Sequence, residues 1–127
     1  MKVFSFLVLL FCLAGATPGT TAAERAMTFF VRIHPTRANF LTTTTNEERA
    51  RLSEHFEYWK ARMAEHKLIL AGPVPIETGT FGILIVRAQD MHEAERLINA
   101  DPSVAHHVNA YEIYPLRLSL YEGMGSQ

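Results

Sequence analysis

The sequence predicts an α+β fold, in which a four-stranded antiparallel sheet carries two helices on one of its faces. Two observations support this prediction. Four short segments have the apolar, β-branched or aromatic character of strands. Apolar residues recur at helical steps of three and four between the first and second of these segments, and again between the third and fourth. The elements therefore follow one another as strand, helix, strand, strand, helix and strand.

The first 23 residues have the features of a secretory signal peptide. Lys2 precedes an apolar run, Val3–Ala14, which is too short to span a bilayer comfortably, and small residues follow up to Ala23. We expect cleavage after Ala23, with Ala16 as the alternative site. The product would be secreted or periplasmic, without stable membrane association. An uncleaved anchor helix is the alternative interpretation.

Residues 24–127 are expected to form a single domain, with a core at 27–115 and a C-terminal tail at 116–127. The full chain contains 12 Lys and Arg against 13 Asp and Glu, so we expect no basic surface for nucleic acid. Cys12, within the predicted leader, is the only cysteine. The mature domain therefore lacks a disulfide, and its stability must come from a hydrophobic core or from oligomerisation.

The first strand is predicted over Met27–His34 and stops at Pro35. Arg32 and His34 lie near its end on the same face, because side chains alternate along a strand. Both are candidates for substrate binding, and Arg32 could hold an anionic group. A solvated arginine at a strand end is the alternative.

The first helix is predicted over Glu47–His66, with an apolar stripe along one side. His55 borders this stripe and points to the core or to a cleft beside it. A capping box is available at the start of the helix, from Thr44 or Thr45 with Glu47 or Glu48. The residues of the stripe are Leu52, Phe56, Trp59 and Met63.

The second half of the chain supplies two strands, a helix and a last strand. The two strands are Leu68–Ala71 and Phe81–Arg87, and the turn between them carries Pro73, Pro75 and Gly79. Asp90 caps the second helix, and Glu93 completes a capping box. Its buried side consists of Met91, Ala94, Leu97 and Ile98. After a break at Asp101-Pro102, the last strand is predicted over Asn109–Leu116.

This order of elements is the ferredoxin-like βαββαβ arrangement. Both helices cover the same face of the sheet, which leaves the other face bare. An apolar face of that size would be an unusually large exposed patch for a monomer. We therefore expect a homodimer that buries the bare face.

Several stretches together resemble the YCII-related (YciI-like) family. They are "EHFEYWKARMAEHKLILAGP", "GILIVRA", "MHEAERLINADP" and "YEIYP". In that family a histidine in the first long helix, a Gly-Pro after the second strand and an Asp-Pro after the second helix recur in this order. The matching residues here are His55, Gly72-Pro73 and Asp101-Pro102.

The resemblance implies a dimeric α/β barrel in which His55 and Asp101 face each other in a cleft. It also implies lyase-like turnover of small cyclic or aromatic molecules, with Gly72 and Pro73 near the substrate. The sequence departs from the family pattern in its leader and at three positions in the domain. Lys67 and His107 stand where the family has glycine, and Ser103 stands where it has an aromatic residue.

Asp101 has two interpretations. Taken alone, Asp101-Pro102 is a helix N-cap followed by proline at the first helical position. With the resemblance, Asp101 orients His55 by accepting a hydrogen bond from one ring nitrogen, which leaves the other nitrogen free to act as a base. The two roles are compatible, because a carboxylate has two oxygens.

The sequence offers little support for a metal or a cofactor, and we expect neither. His92-Glu93 lacks the second histidine of an H-E-x-x-H motif, because Arg96 stands in its place. The adjacent pair His106-His107 cannot easily share one ion in a regular strand. The alternative is a metal site formed by His34, His55, Asp101 and His107, if these residues converge in the fold.

The predicted function is a small-molecule lyase or isomerase that uses a His55/Asp101 proton-transfer dyad. A nucleophile is not apparent, since the mature chain lacks cysteine and has no serine in a G-x-S-x-G motif. The main alternative is a non-catalytic dimeric module of the same fold that binds a small ligand. A purely structural dimer is the third possibility.

The leader gives a direct prediction about processing. Expressed with its export machinery, the mature protein should begin near Glu24, because the small residues before it match a signal-peptidase site. Intact mass and N-terminal sequencing of the exported protein measure this. Retention of Met1 in the mature form would contradict the prediction.

Overall fold

The computed structural model describes residues 26–121, so the predicted leader lies outside the described residues. Four strands and four helices occur within this range. The strands are β1 (Met27–Pro35), β2 (Leu68–Ile76), β3 (Gly79–Ala88) and β4 (Asn109–Leu116). The helices are α1 (Phe40–Thr43), α2 (Asn46–Ala64), α3 (Met91–Asn99) and α4 (Pro102–Ala105).

The four described strands form one antiparallel sheet in the order β2-β3-β1-β4. Alternate residues of β1 and β3 point to the same face, where they pack against both long helices. The α+β, ferredoxin-like fold predicted from the sequence is confirmed. Core residues of this face include Phe29, Val31, Leu84 and Val86 from the sheet, and Trp59, Ala94, Leu97 and Ile98 from the helices.

Helix α2 begins with a capping box made by Thr45 and Glu48. Glu48 N donates to Thr45 Oγ1 at 3.1 Å, and Thr45 N donates to Glu48 Oε2 at 2.8 Å. Arg37 binds both carboxylate oxygens of Glu48, at 2.8 and 2.6 Å, and this contact followed by the Thr45 N–H lowers the pKa of Glu48 to about 2. The Arg37–Glu48 pair holds the segment before α2 against the start of that helix. This segment contains helix α1, which was not predicted from the sequence and whose Phe40 is buried.

The predicted apolar stripe of α2 is wrong in part. Trp59 is 3% exposed, but Phe56 is 64% and Met63 is 45% exposed. The helix is rotated so that Trp59 and His55, one turn apart, face α4. Phe56 and Met63 consequently lie to the side of the core contact.

The predicted turn between the second and third strands is also wrong. Both strands are longer than expected, and the hairpin turn between them contains only Glu77 and Thr78. Pro73 and Pro75 lie within β2. They are tolerated there because β2 is at the edge of the sheet, where one side of the strand needs no backbone donor.

Two non-glycine residues adopt left-handed backbone conformations at or next to positions where this sequence departs from the family pattern. His107, which stands at a family glycine, has φ of 56°. Before β2 the left-handed residue is His66, with φ of 59°, rather than its neighbour Lys67. Among the described residues, no helix combines the length and the apolar character needed to cross a membrane.

Candidate active site

His55 borders a cavity of about 380 Å³ between α2, the segment that contains α1, and the sheet. Its side chain projects from the middle of α2 and is 23% exposed. Most of the residues around it are apolar. They include Ile33 of β1, Phe40 and Leu41 of α1, Leu52 and Phe56 of α2, and Leu84 of β3.

The structure brings His55 and Asp101 together. His55 Nδ1 lies 2.6 Å from Asp101 Oδ2, although 46 residues separate them in the sequence. Asp101 has no exposed surface. A distance this short between a ring nitrogen and a carboxylate is typical of a charge-assisted hydrogen bond.

Asp101 also caps helix α4, so the two interpretations of this residue hold at once in the geometry. Its Oδ1 accepts a hydrogen bond from the backbone N–H of Ser103 at 2.9 Å, and Pro102 occupies the first turn. Its Oδ2 accepts from His55 and, at 2.8 Å, from Trp59 Nε1. Oδ1 therefore caps α4, while Oδ2 binds the imidazole and the indole.

Two opposing effects set the ionisation of Asp101. Burial raises its pKa, but hydrogen bonding and charge attraction from His55, with further hydrogen bonds from Trp59 and the Ser103 N–H, outweigh burial and hold the pKa below its usual range. The carboxylate is therefore ionised at neutral pH and can only accept hydrogen bonds. It follows that His55 Nδ1 carries the proton, which leaves Nε2 as the basic nitrogen.

Ser103 and Asn109 extend this hydrogen-bond network, and neither was predicted to belong to the site. Ser103 Oγ lies 3.3 Å from His55 Nδ1 and accepts from Asn109 Nδ2 at 3.1 Å. Both residues are buried, and Asn109 borders the same cavity as His55. The only signal in the sequence was that Ser103 replaces an aromatic residue of the family pattern next to Asp101-Pro102.

Ser103 is not placed as a catalytic nucleophile. In a Ser-His-Asp triad the serine contacts the imidazole nitrogen opposite the carboxylate. Here Ser103 Oγ approaches Nδ1, the nitrogen that already binds Asp101. Ser103 is also fully buried, so its hydroxyl is not accessible to a substrate.

The four predicted substrate-binding residues divide between two cavities. Gly72 and Pro73 border the same cavity as His55. Arg32 and His34 border a neighbouring cavity of about 670 Å³, and their register in β1 places them on the face of the sheet opposite the core.

Arg32 already has two partners on its face. Its guanidinium binds Glu112 at 3.2 Å and lies 4.8 Å from the centre of the Phe81 ring. His34 Nε2 is 3.8 Å from the same Glu112 carboxylate. Within residues 26–121 no group of three or more His, Cys, Asp or Glu side chains is arranged to hold a metal ion.

The carboxylate of Asp101 should contribute to stability in a pH-dependent way. Its pKa lies below the unfolded value of about 3.9, so its contribution is complete above that pH and is lost as pH falls through the folded-state pKa. Asp101→Asn keeps an N-cap but loses the charge-assisted bonds, and we expect a loss of about 1–3 kcal/mol in the free energy of unfolding at pH 7. The difference from wild type should shrink toward pH 3.

Urea unfolding at pH 7 and pH 3 measures this difference. Asp90→Asn is the matched control, because Asp90 is an exposed N-cap that binds the Glu93 N–H at 2.8 Å. Asparagine caps a helix as well as aspartate does, so this control should cost little. Equal losses in the two variants would mean that capping alone explains Asp101.

Among curated proteins, none matches the chain by sequence. Several solved structures match the chain, among them two with named activities. One is 5-chloro-2-hydroxyhydroquinone dehydrochlorinase from Burkholderia phenoliruptrix AC1100 in complex with 2,5-dihydroxybenzoquinone, with TM-score 0.54, 18% identity, and 70% of this chain and 93% of that chain covered. The other is a variant of SnoaB, a cofactor-independent oxygenase from Streptomyces nogalater, with TM-score 0.42, 11% identity, and 78% and 98% covered. The YCII-related domain matches residues 28–117, so the chain belongs to the family of YCII-related domains.

Proposed function

We propose that this protein is a small-molecule lyase or isomerase that acts on a cyclic or aromatic-derived substrate. The observation that carries the proposal is the 2.6 Å contact between His55 and the buried Asp101 at the border of an apolar cavity. A buried carboxylate and imidazole in this arrangement are a functional-site candidate on physical grounds.

His55 acts as a general base through Nε2, which has no hydrogen-bond partner among residues 26–121. Nε2 removes a proton from a carbon of the substrate, and the electron pair of the broken C–H bond forms a double bond. In an elimination, a leaving group departs from the neighbouring carbon with its own electron pair. In an isomerisation, an adjacent double bond opens as the new one forms, and the imidazolium returns the proton to the carbon that receives the displaced electron pair. Neither route needs an external oxidant or reductant.

Asp101 holds the imidazole in the productive orientation and stabilises the imidazolium formed when Nε2 takes the proton. Trp59 Nε1 donates a second hydrogen bond to the same carboxylate oxygen and so helps to fix its position. Asp101 is thus already ionised and positioned before a ligand arrives. General base catalysis of this kind contributes about 10²–10⁴-fold to a rate.

The volume and the lining of the cavity support a small ligand with an apolar ring. A volume of about 380 Å³ is at the lower end of the range for ligand sites, and its surroundings are mainly aliphatic and aromatic. The solved protein of similar fold is named a dehydrochlorinase, a name that denotes an elimination, and its structure contains a hydroxylated quinone. The shared fold makes such chemistry a reasonable class to test here, while the choice of residues rests on His55 and Asp101.

The dyad is tested by kinetics once a ligand is found. Cyclic hydroxylated and lactone-type compounds are screened by thermal shift, and each hit is assayed for turnover. His55→Ala should lower kcat/KM by about 10²–10⁴-fold, because the base is removed. Asp101→Asn should cause a loss of similar size, because the imidazolium loses its counter-charge.

His92→Ala is the matched control, since His92 is an exposed histidine of α3 away from the cavity. It should leave kcat/KM unchanged. Turnover that survives His55→Ala would overturn the dyad. Ligands that bind tightly without any turnover would identify the protein as a non-catalytic binding module.

We also propose that two copies of the chain pack through the bare faces of their sheets. This face presents Phe30 and Tyr114, whose rings stack with centroids 6.4 Å apart, and Leu70 and Ile76, which are 42% and 49% exposed. Apolar side chains on β2, β1 and β4 are thus at least partly exposed on one face of the sheet, and exposed apolar surface of this kind marks an interface. The self-complementary occupant of such a patch is a second copy.

The dimer is measured by sedimentation at micromolar concentration. Wild type should sediment as a dimer, and Tyr114→Glu should weaken it, because the substitution places a charge in an apolar interface without disturbing the core. Ala61→Glu, on the exposed side of α2, is the control and should remain dimeric. A monomeric wild type would refute the proposal.

A further inference from the structure

The cavity beside His55 carries very few polar side chains. Among the described residues that border it, only His55, Thr80 and Asn109 have polar side chains, and none is a lysine, arginine, aspartate or glutamate. A ligand held there must therefore bury most of its surface against carbon atoms. The side-chain partners for a polar group of the ligand are therefore limited to these three residues, and a polar group that is buried without a partner loses its hydrogen bonds to water.

Asn109 is the most firmly held of these polar side chains. It is the first residue of β4, is 8% exposed, and donates from Nδ2 to Ser103 Oγ at 3.1 Å. Ser103 is in turn fixed by its backbone, since its N–H donates to Asp101 and its carbonyl accepts from Val108 N at 2.9 Å. The amide of Asn109 is consequently tied to the element that carries the dyad.

The other end of the amide is not used by the described part of the chain. Among residues 26–121, Asn109 Oδ1 has no hydrogen-bond partner. The oxygen is not among the described side-chain atoms that are fully buried without a partner, so it keeps accessible surface and can accept from water or from a ligand that displaces the water. The partner must supply an O–H or N–H group.

We propose that Asn109 orients the substrate of this site by accepting a hydrogen bond from a hydroxyl group on an uncharged ring. The inference rests on the proposed function in that the same cavity holds the substrate whose proton His55 removes. It goes further, because it names the chemical class of the substrate and the residue that selects it. Asn109 makes no hydrogen bond with His55, and its hydrogen bonds reach the dyad through Ser103.

The electrostatics of the cavity disfavour an anionic substrate. A carboxylate or phosphate on the ligand would lie near the buried charge of Asp101, with no lysine or arginine at the border of the cavity. Arg32 and Arg37 border the neighbouring cavity instead, and each already binds a carboxylate, of Glu112 and Glu48 respectively. An uncharged ring with a hydroxyl group avoids this penalty.

The test compares the binding of phenol and toluene, which have the same shape but differ in the hydroxyl group. Trp59 is the only tryptophan, and its indole N–H binds Asp101, so its single indole resonance in a ¹H–¹⁵N spectrum reports occupancy of the site. Asn109→Leu should weaken phenol binding by about 5–10-fold and leave toluene binding unchanged or tighter, because only the hydrogen bond is lost.

Two further variants separate the contribution of Asn109 from that of the remaining polar side chains. Asn99→Leu is the matched control, because its amide binds Tyr111 Oη outside the cavity, and it should change neither affinity. Thr80→Val removes the other hydrogen-bonding side chain at the cavity border. Loss of the phenol preference in Thr80→Val but not in Asn109→Leu would overturn the proposal.

A measurement on the wild-type protein covers the case in which Asn109→Leu does not fold. The two side-chain N–H resonances of Asn109 should shift more with phenol than with toluene, because both rings produce ring-current shifts but only phenol donates a hydrogen bond to the amide. Equal shifts with both compounds, or no binding of phenol, would overturn the proposal.

Charge is tested with a second isosteric pair. We expect 4-hydroxybenzamide to bind at least about tenfold more tightly than 4-hydroxybenzoate, since only the latter is an anion. Tighter binding of the benzoate would contradict this preference for an uncharged ligand. All these measurements record binding alone, so a site that binds phenol as expected without turning over any substrate would refute the proposed function and leave the role of Asn109 intact.

Discussion

The carboxylate of Asp101 is the group on which the site depends. It has no exposed surface, and an isolated buried carboxylate would cost several kcal/mol. The cost is offset by three donors, two on α2 and one at the start of α4. Because these donors are rigidly held, one charge fixes the rotation of α2, the start of α4 and the orientation of His55.

This constraint explains features of α2 that hydrophobicity alone does not. Trp59 fills the core with its ring while its indole nitrogen binds a charged oxygen, so it is both a packing residue and a hydrogen-bond donor. His55 occupies the same face one turn earlier, and Phe56 is thereby turned outward to the cavity border. The apolar cavity beside His55 follows from this arrangement, since the helix that carries His55 does not close over it.

The order of strands and helices could be predicted from the sequence, because period-two and helical patterns and the caps at Thr45 and Asp90 are local signals. The pairing of His55 with Asp101 needed the family resemblance, since nothing local links residues 46 positions apart. The exposure of Phe56 and the network through Trp59, Ser103 and Asn109 could not be predicted, because they depend on which side of α2 meets α4. The length of β2 was missed because proline was taken as part of a turn, whereas an edge strand accommodates it. The start of β3 was missed because Gly79 was assigned to the same turn.

The central claim is that an ionised Asp101 holds the proton of His55 on Nδ1 and leaves Nε2 basic. The tautomer can be measured directly in protein labelled with ¹⁵N at histidine, by assigning the two ring nitrogens of His55 in multiple-bond ¹H–¹⁵N spectra. In the neutral ring, we expect a protonated Nδ1 and an Nε2 with the chemical shift of an unprotonated ring nitrogen. A His55 ring with its proton on Nε2 would contradict the account.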